Sequence, residues 1–265
     1  MNAGERDELI CILSLIFFWT KEKNISGLGK ITKVTTPMGP NCRKWDLENK
    51  EPNWLTGLSN GQLAQIATQH GVRKAPLRCK ADIIVNETLA ISLKSHRKAN
   101  PAVVNHTTRY GWEQACQHMR AEIEPLDEAV ERYWLLRESG MIAEDVKNKS
   151  PQSPFRDYKE YFVPVIEYFL FYGTGTGLSQ VSASTVLSFS DPTSPETWSF
   201  LRPSDVVSEA WPHLVFSVRN KGMPTSFPDL RKNDLHKKYS IEKWTRLCDG
   251  EYKGALHVRS ERKLC

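Results

Sequence analysis

The chain has 265 residues, 40% hydrophobic and 25% charged. This excludes a disordered or fibrous chain and allows a sizeable core without disulfide or metal staples. Thirty-six Lys and Arg against 31 Asp and Glu leave a net charge of only +5, too little to identify a partner. The distribution says more: nine basic against three acidic residues over 71–120, six against eleven over 121–170, and twelve against six over 216–265. Two basic blocks around an acidic one suit a polyanion if the blocks converge; otherwise they are an unevenly charged solvated surface.

Residues 3–19 read as a helix that opens on acidic residues, as its dipole prefers. The apolar run at 9–19 is shorter than the roughly 20 residues of a membrane span. It follows Glu5-Arg6-Asp7-Glu8 rather than a basic segment, so a buried helix is expected, with no signal peptide and no membrane partner. Residues 25–60, rich in Gly, Pro, Asn and Trp, suggest short strands and loops, and residues 60–70 a short helix ending at Gly71.

Residues 80–94 read as a β-hairpin, two β-branched runs around the turn Asn86-Glu87-Thr88. A polar, basic loop follows at 95–100. Helices are expected over 111–123 and 125–147, the second broken near Gly140, then a loop at 148–154. The aromatic stretch 158–172 fits helix or strand. Strands are expected at 182–190, 213–219 and 253–260, with a helix at 240–248. The whole reads as one α/β globule: a catalytic core over 1–150 and a β-rich part over 151–265. The six cysteines are scattered without a C-x-x-C pair. They match neither a disulfide framework nor a zinc ribbon, and point to a reducing, cytoplasmic setting.

The hairpin carries the chemistry. A three-residue turn pairs Val85 with Leu89 and places Asp82 opposite Ser92, where directly opposed Cβ atoms lie about 5 Å apart. Alternation puts Ser92 and Lys94 on one face with Asp82, and turns Ile83, Val85, Ile91 and Leu93 the other way. A carboxylate can hold a hard divalent cation, with the Leu93 carbonyl as a second ligand. Such a cation lowers the pKa of bound water and screens phosphate charge. A neighbouring lysine can orient or deprotonate that water and stabilise the developing oxyanion.

Ala81-Asp82, nine residues, then Ser92-Leu93-Lys94 resembles the PD-(D/E)xK motif of restriction endonucleases and related nucleases. The resemblance implies a central mixed sheet flanked by helices, with the motif on adjacent strands. It gives Asp82 a metal-ligand role and Lys94 the catalytic-lysine role. Ala81 stands where the motif has proline, and Ser92 where it has a second acid. Some restriction enzymes begin with a similar G-E-x-x-E helix packed near the motif. That makes Glu5 and Glu8, three apart on one helix face, candidates to replace the missing acid, Glu5 as a metal ligand. Compensation of the helix dipole is the alternative role for both.

After Lys94, the residues His96, Arg97, Lys98, Asn105, His106, Thr107, Thr108 and Arg109 could contact phosphates or base edges. Their K-S…N-H-T-x-R pattern is similar to loops of some type II restriction enzymes. A second group is Arg219, Asn220 and Lys221, with His257 and Arg259 on the final strand. Either group could equally be solvated surface.

The expectation is therefore a type II restriction endonuclease: a Mg²⁺-dependent phosphodiesterase, working as a homodimer, that cuts double-stranded DNA to leave 5′-phosphate ends. A repair or recombination nuclease of the same fold, or a DNA-binding protein with a decayed site, are the rivals. The segment Gly173-Thr-Gly-Thr-Gly177 lacks the residues of a P-loop or dinucleotide site and reads as a turn.

Overall fold

In a computed structural model of the chain, the described residues are 1–76, 78–96, 102–223 and 243–262. They form two compact units, each discontinuous in sequence. One comprises the described residues of 1–101 and 179–203, the other those of 102–178 and 204–264. The chain thus does not divide near residue 150; the segment after 178 returns to the first unit because its strand pairs with the motif hairpin. Both units mix helices with sheet, so the chain is α/β.

The first unit is built on a five-stranded mixed sheet whose spatial order follows the chain: Val34–Thr35, Ile83–Val85, Leu89–Ser95, Thr185–Phe189, Trp198–Leu201. Neighbours are antiparallel except the central pair, Leu89–Ser95 with Thr185–Phe189, which is parallel. A parallel pair needs a long crossover, and residues 96–184 supply it.

The Ala3–Thr20 helix packs on the Leu89–Ser95 strand and on the Asn60–Gln69 helix. Its start is fixed by a reciprocal cap: Asn2 Oδ1 accepts the Glu5 N–H at 2.9 Å, and the Glu5 carboxylate accepts the Asn2 N–H at 3.0 Å. From Ile10 to Phe18 every residue is buried, so this helix is apolar all round, as a core helix should be. The one hydroxyl in that run, Ser14, donates to Ile10 O at 2.9 Å. Ile83, Val85, Ile91 and Leu93 join the same core with Leu187 and Phe189. The Asn60–Gln69 helix stops at His70 before Gly71, whose φ of +74° suits glycine. Among the described residues no helix is long and apolar enough to cross a membrane.

The second unit holds an antiparallel sheet in the order Ala102–Thr108, Ala255–Ser260, Leu214–Arg219, Val146–Lys147. Helices Arg109–Met119, Glu124–Glu138 and Lys159–Glu167 belong to it, the last widening into a π turn at Tyr168–Tyr172. Trp112, Trp134, Trp244, Phe155, Phe162 and Phe216 are fully buried there, as core rather than stacking platforms. The glycine-rich segment is a small hairpin, Gly173–Thr174 with Gly177–Leu178.

Four expectations are corrected. The second predicted helix ends at Glu138, before Gly140 at φ +75°, and residues 146–147 form a strand. No helix occupies 246–248: Arg246–Cys248 pairs with Glu251–Lys253 around Asp249-Gly250, both at positive φ, the geometry of a two-residue hairpin turn. Residues 240–242 lie outside the described set. Pro203–Ala210, in the part expected to be β-rich, is helical. Ala102–Thr108, treated as a loop, is a strand with Val103 and Val104 buried.

Candidate functional site

The hairpin register is the expected one. Val85 pairs with Leu89, Ile84 with Ala90 and Ile83 with Ile91, and Asp82 continues it by donating its N–H to Ile91 O at 2.8 Å. One residue earlier the two strands separate. The Lys80 and Ala81 N–H groups donate to Val181 O at 2.9 and 3.2 Å, away from the Leu89–Ser95 strand. The Asp82 carboxylate fills the gap: Oδ2 accepts the Leu93 N–H at 2.7 Å and the Ser92 hydroxyl at 3.4 Å. Asp82 is therefore fixed where the sheet opens. Oδ1 has no hydrogen bond among the described residues. Leu93 and Ser92 are buried, while Asp82 and Lys94 remain half-exposed.

Glu8 comes to this point from the first helix. Burial pushes its carboxyl up to about 7, the Lys94 ammonium pulls it back, and the charges of Asp82 and Glu5 push it further. Lys80 feels the reverse: burial lowers its ammonium to about 8, Lys94 lowers it further, and Asp82 opposes both. Among the described residues none of Glu8, Lys80 and Lys94 has an ion-pair partner. Two carboxylates and two ammoniums thus act on one another at one corner of the sheet, and among the described residues no salt bridge closes them. Lys80 was not singled out from sequence. Its significance depends on the strand separation, which no local pattern announces, although its position two before Asp82 was a usable signal.

An open cleft of about 600 Å³ adjoins the corner, lined by Glu5, Glu8, Ile12, Ala67, Cys79 and Asp82 among others. Asp82 thus has access to solvent. Glu5 is otherwise engaged, as the reciprocal cap of the helix and in a 2.6 Å ion pair with Lys74. The Lys74 ammonium, followed by the Asn2 N–H, holds its carboxyl below the usual range. Of the two N-terminal acids, the dipole-and-cap role fits Glu5 and the site fits Glu8.

Asp82 and Glu8, both oxygen donors lining this cleft, are the residues that could hold a hard cation. Among the described residues there is no group of three or more His, Cys, Asp or Glu placed to hold a metal. The donor set fits an oxygen-seeking ion that keeps much of its water, as Mg²⁺ does.

The residues expected to touch DNA fall into distinct situations. His96 turns inward: its N–H donates to Phe189 O at 2.9 Å, and Nε2 meets the buried Ser188 hydroxyl. Arg97 and Lys98 lie outside the described residues. Asn105 and His106 form a bulge opposite His257 in the second unit's sheet. The bulge aims His106 so that its ring stacks on His257 at 4.3 Å and 7°. Burial, then the His257 and Lys221 charges, lower the His106 imidazole to about 4, and burial lowers His257. Thr107 Oγ1 donates to Asn105 O at 2.7 Å. Thr108 precedes the Arg109–Met119 helix without a side-chain cap.

Three cations are spent inside the protein. Arg109 forks onto Asp127 at 2.7 and 2.8 Å and reaches Glu113 at 3.2 Å. Arg219 is bound to Glu144 and, at 2.6 Å, to Asp145. Arg259 reaches the other Asp145 oxygen at 3.0 Å. Asn220 donates to Glu251 at 2.8 Å. Lys221 is exposed and has no ion pair among the described residues.

Compared with family models, with curated proteins and with solved structures, the chain matches none.

Proposed function

We propose that the chain is a Mg²⁺-dependent nuclease of restriction-endonuclease-like fold that hydrolyses phosphodiesters of double-stranded DNA. The observation that carries this reading is the hairpin register. It sets Asp82 against Ser92 and places Lys94 two residues further along the same strand, at an open corner of the sheet. The mixed sheet with the motif on adjacent strands, and the first helix packed on it, support the reading.

Asp82 and Glu8 would hold the ion, whose chemistry is to neutralise phosphate charge and to acidify water. Asp82 arrives preorganised, because the Leu93 N–H fixes one oxygen and leaves the other outward. Glu8, half-protonated near neutrality, becomes a full carboxylate when a cation is near, releasing a proton. Lys94 orients the water that attacks phosphorus in line, and its ammonium stabilises charge developing on the phosphoryl oxygens. The products would carry 5′-phosphate ends, and palindromic recognition by a symmetric dimer is the simplest arrangement.

The rival is a DNA-binding protein with a decayed site, favoured by one observation: a buried hydroxyl, Ser92, stands where the motif has its second acid. Incubation of the full chain with supercoiled plasmid in Mg²⁺ or in EDTA separates the two. Discrete linear fragments that need Mg²⁺ support the sequence-specific nuclease. Cutting only at branched or looped DNA favours a repair enzyme of the same fold. Salt-sensitive binding without cutting favours the decayed site.

A further inference from the structure

We propose that Asp7 is a positioning residue of this site: its hydrogen bond to Ser95 fixes where Glu8 stands relative to Lys94. The inference rests on the nuclease reading and adds to it a residue outside the motif. Of the described Asp, Glu, Lys and Arg residues only Asp7 and Asp127 are buried. Asp7 Oδ2 accepts the Ser95 hydroxyl at 2.8 Å. Asp7 precedes Glu8 on the Ala3–Thr20 helix, and Ser95 follows Lys94 on the Leu89–Ser95 strand. One hydrogen bond therefore joins the two elements that supply the acid and the amine. Alternation explains its aim: Ile91 and Leu93 are buried in the core that this helix shares, and Ser95, two further on, faces the same side while Lys94 faces the other. The strand end is held on the sheet side as well. Ser95 pairs with Phe189, and the His96 N–H donates to Phe189 O at 2.9 Å.

The core that helix and hairpin share is apolar, with Ile10 and Leu13 in one cluster with Ile91 and Leu93. Apolar contact is non-directional and does not by itself stop a helix from sliding or turning on a sheet. A hydroxyl on an anchored strand does. Burying a carboxylate is costly even when it is hydrogen-bonded, and an apolar pair of similar volume is often as stable or more so. Stability alone thus gives no reason for a carboxylate at Asp7, whereas the spacing of Glu8 and Lys94 does. A reacting group misplaced by about 1 Å can lose a hundredfold in rate.

The test compares single-turnover cleavage in Mg²⁺, duplex binding with Ca²⁺ in its place, and urea unfolding, for the full chain and its variants. Ser95→Ala and Asp7→Leu should each cut about tenfold or more slowly at saturating DNA, with duplex affinity within about twofold of the wild type. The double variant should be no slower than the slower single, because the same bond is lost in each. Asp7→Asn keeps an oxygen for the Ser95 hydroxyl and should recover most of the rate. A rate loss that follows the urea midpoint across the variants, or one as large in Asp7→Asn as in Asp7→Leu, would overturn the assignment. So would cleavage at the wild-type rate by Ser95→Ala, which removes one hydroxyl and keeps the test open if Asp7→Leu does not fold. A wild-type chain that does not cut removes the nuclease reading and this role with it; a wild type that cuts no faster than Ser95→Ala removes only the role of Asp7.

Discussion

Asp82 and Leu93 are joined by a 2.7 Å hydrogen bond from the Leu93 N–H to the Asp82 carboxylate. The bond replaces the ladder partner that the separating strand no longer offers, so one side chain both finishes the sheet and presents an acid at its opening. Its two substitutions should therefore differ. Asp82→Asn keeps an acceptor for Leu93 and should cost about 1 kcal/mol or less in urea unfolding. Asp82→Ala strands a buried N–H and should cost roughly 1–3 kcal/mol. Both should lose Mg²⁺-dependent cleavage, so equal loss of activity with unequal loss of stability is the expected pattern.

Glu8 gives a pH dependence of stability with a definite sign. Its carboxyl is raised from 4.5 to about 7 in the folded chain, so between those values the folded state holds a proton that the unfolded state has released. Its contribution is fully present below pH 4.5 and fades as pH rises through 7, by roughly 3 kcal/mol at most. Denaturant unfolding at pH 5 and pH 8 should show this decline in the wild type. Glu8→Gln should lack it, being the more stable chain at pH 8. The same variant should lose most Mg²⁺-dependent activity.

The histidine stack of the second unit slopes the other way. His106 and His257 are both depressed in the folded chain, His106 to about 4. Their contribution is present above pH 6.5 and is lost as pH falls toward 4. His257→Phe keeps a stacking ring while removing one of the two titrating groups. It should flatten the fall in stability between pH 6.5 and 4, as followed by thermal unfolding.

Arg109 should behave as a structural residue. Its side chain is 12% exposed and that of Asp127 9%, and Lys243 and the Trp244 N–H converge on the same carboxylate at 2.8 Å. Arg109→Met should cost on the order of 3 kcal/mol, because it leaves a buried charge short of its main partner. The salt dependence of DNA binding should stay unchanged. A lower salt slope without loss of stability would return Arg109 to the DNA-contact list.

What could be read from sequence follows the range of the interactions. The hairpin register was legible because turn length and period-two alternation are local, and they fix Asp82 against Ser92. The first helix was legible from an apolar run bounded by acids. The fate of Arg109 was not, because its partner Asp127 lies eighteen residues on, across a helix boundary. Asp249-Gly250 was a usable hairpin signal overridden by the helix-forming residues before it. The strand at Ala102–Thr108 was obscured by its polar second half, Asn105 to Thr108, which resembles a loop until the bulge and its neighbour strand are seen.

The most direct test is single-turnover cleavage of supercoiled plasmid in Mg²⁺ by the wild-type chain and by Lys94→Met, with duplex binding measured alongside. The account predicts that the wild type cuts, and that Lys94→Met cuts at least about a hundredfold more slowly while still binding. Cleavage by Lys94→Met at the wild-type rate would contradict it.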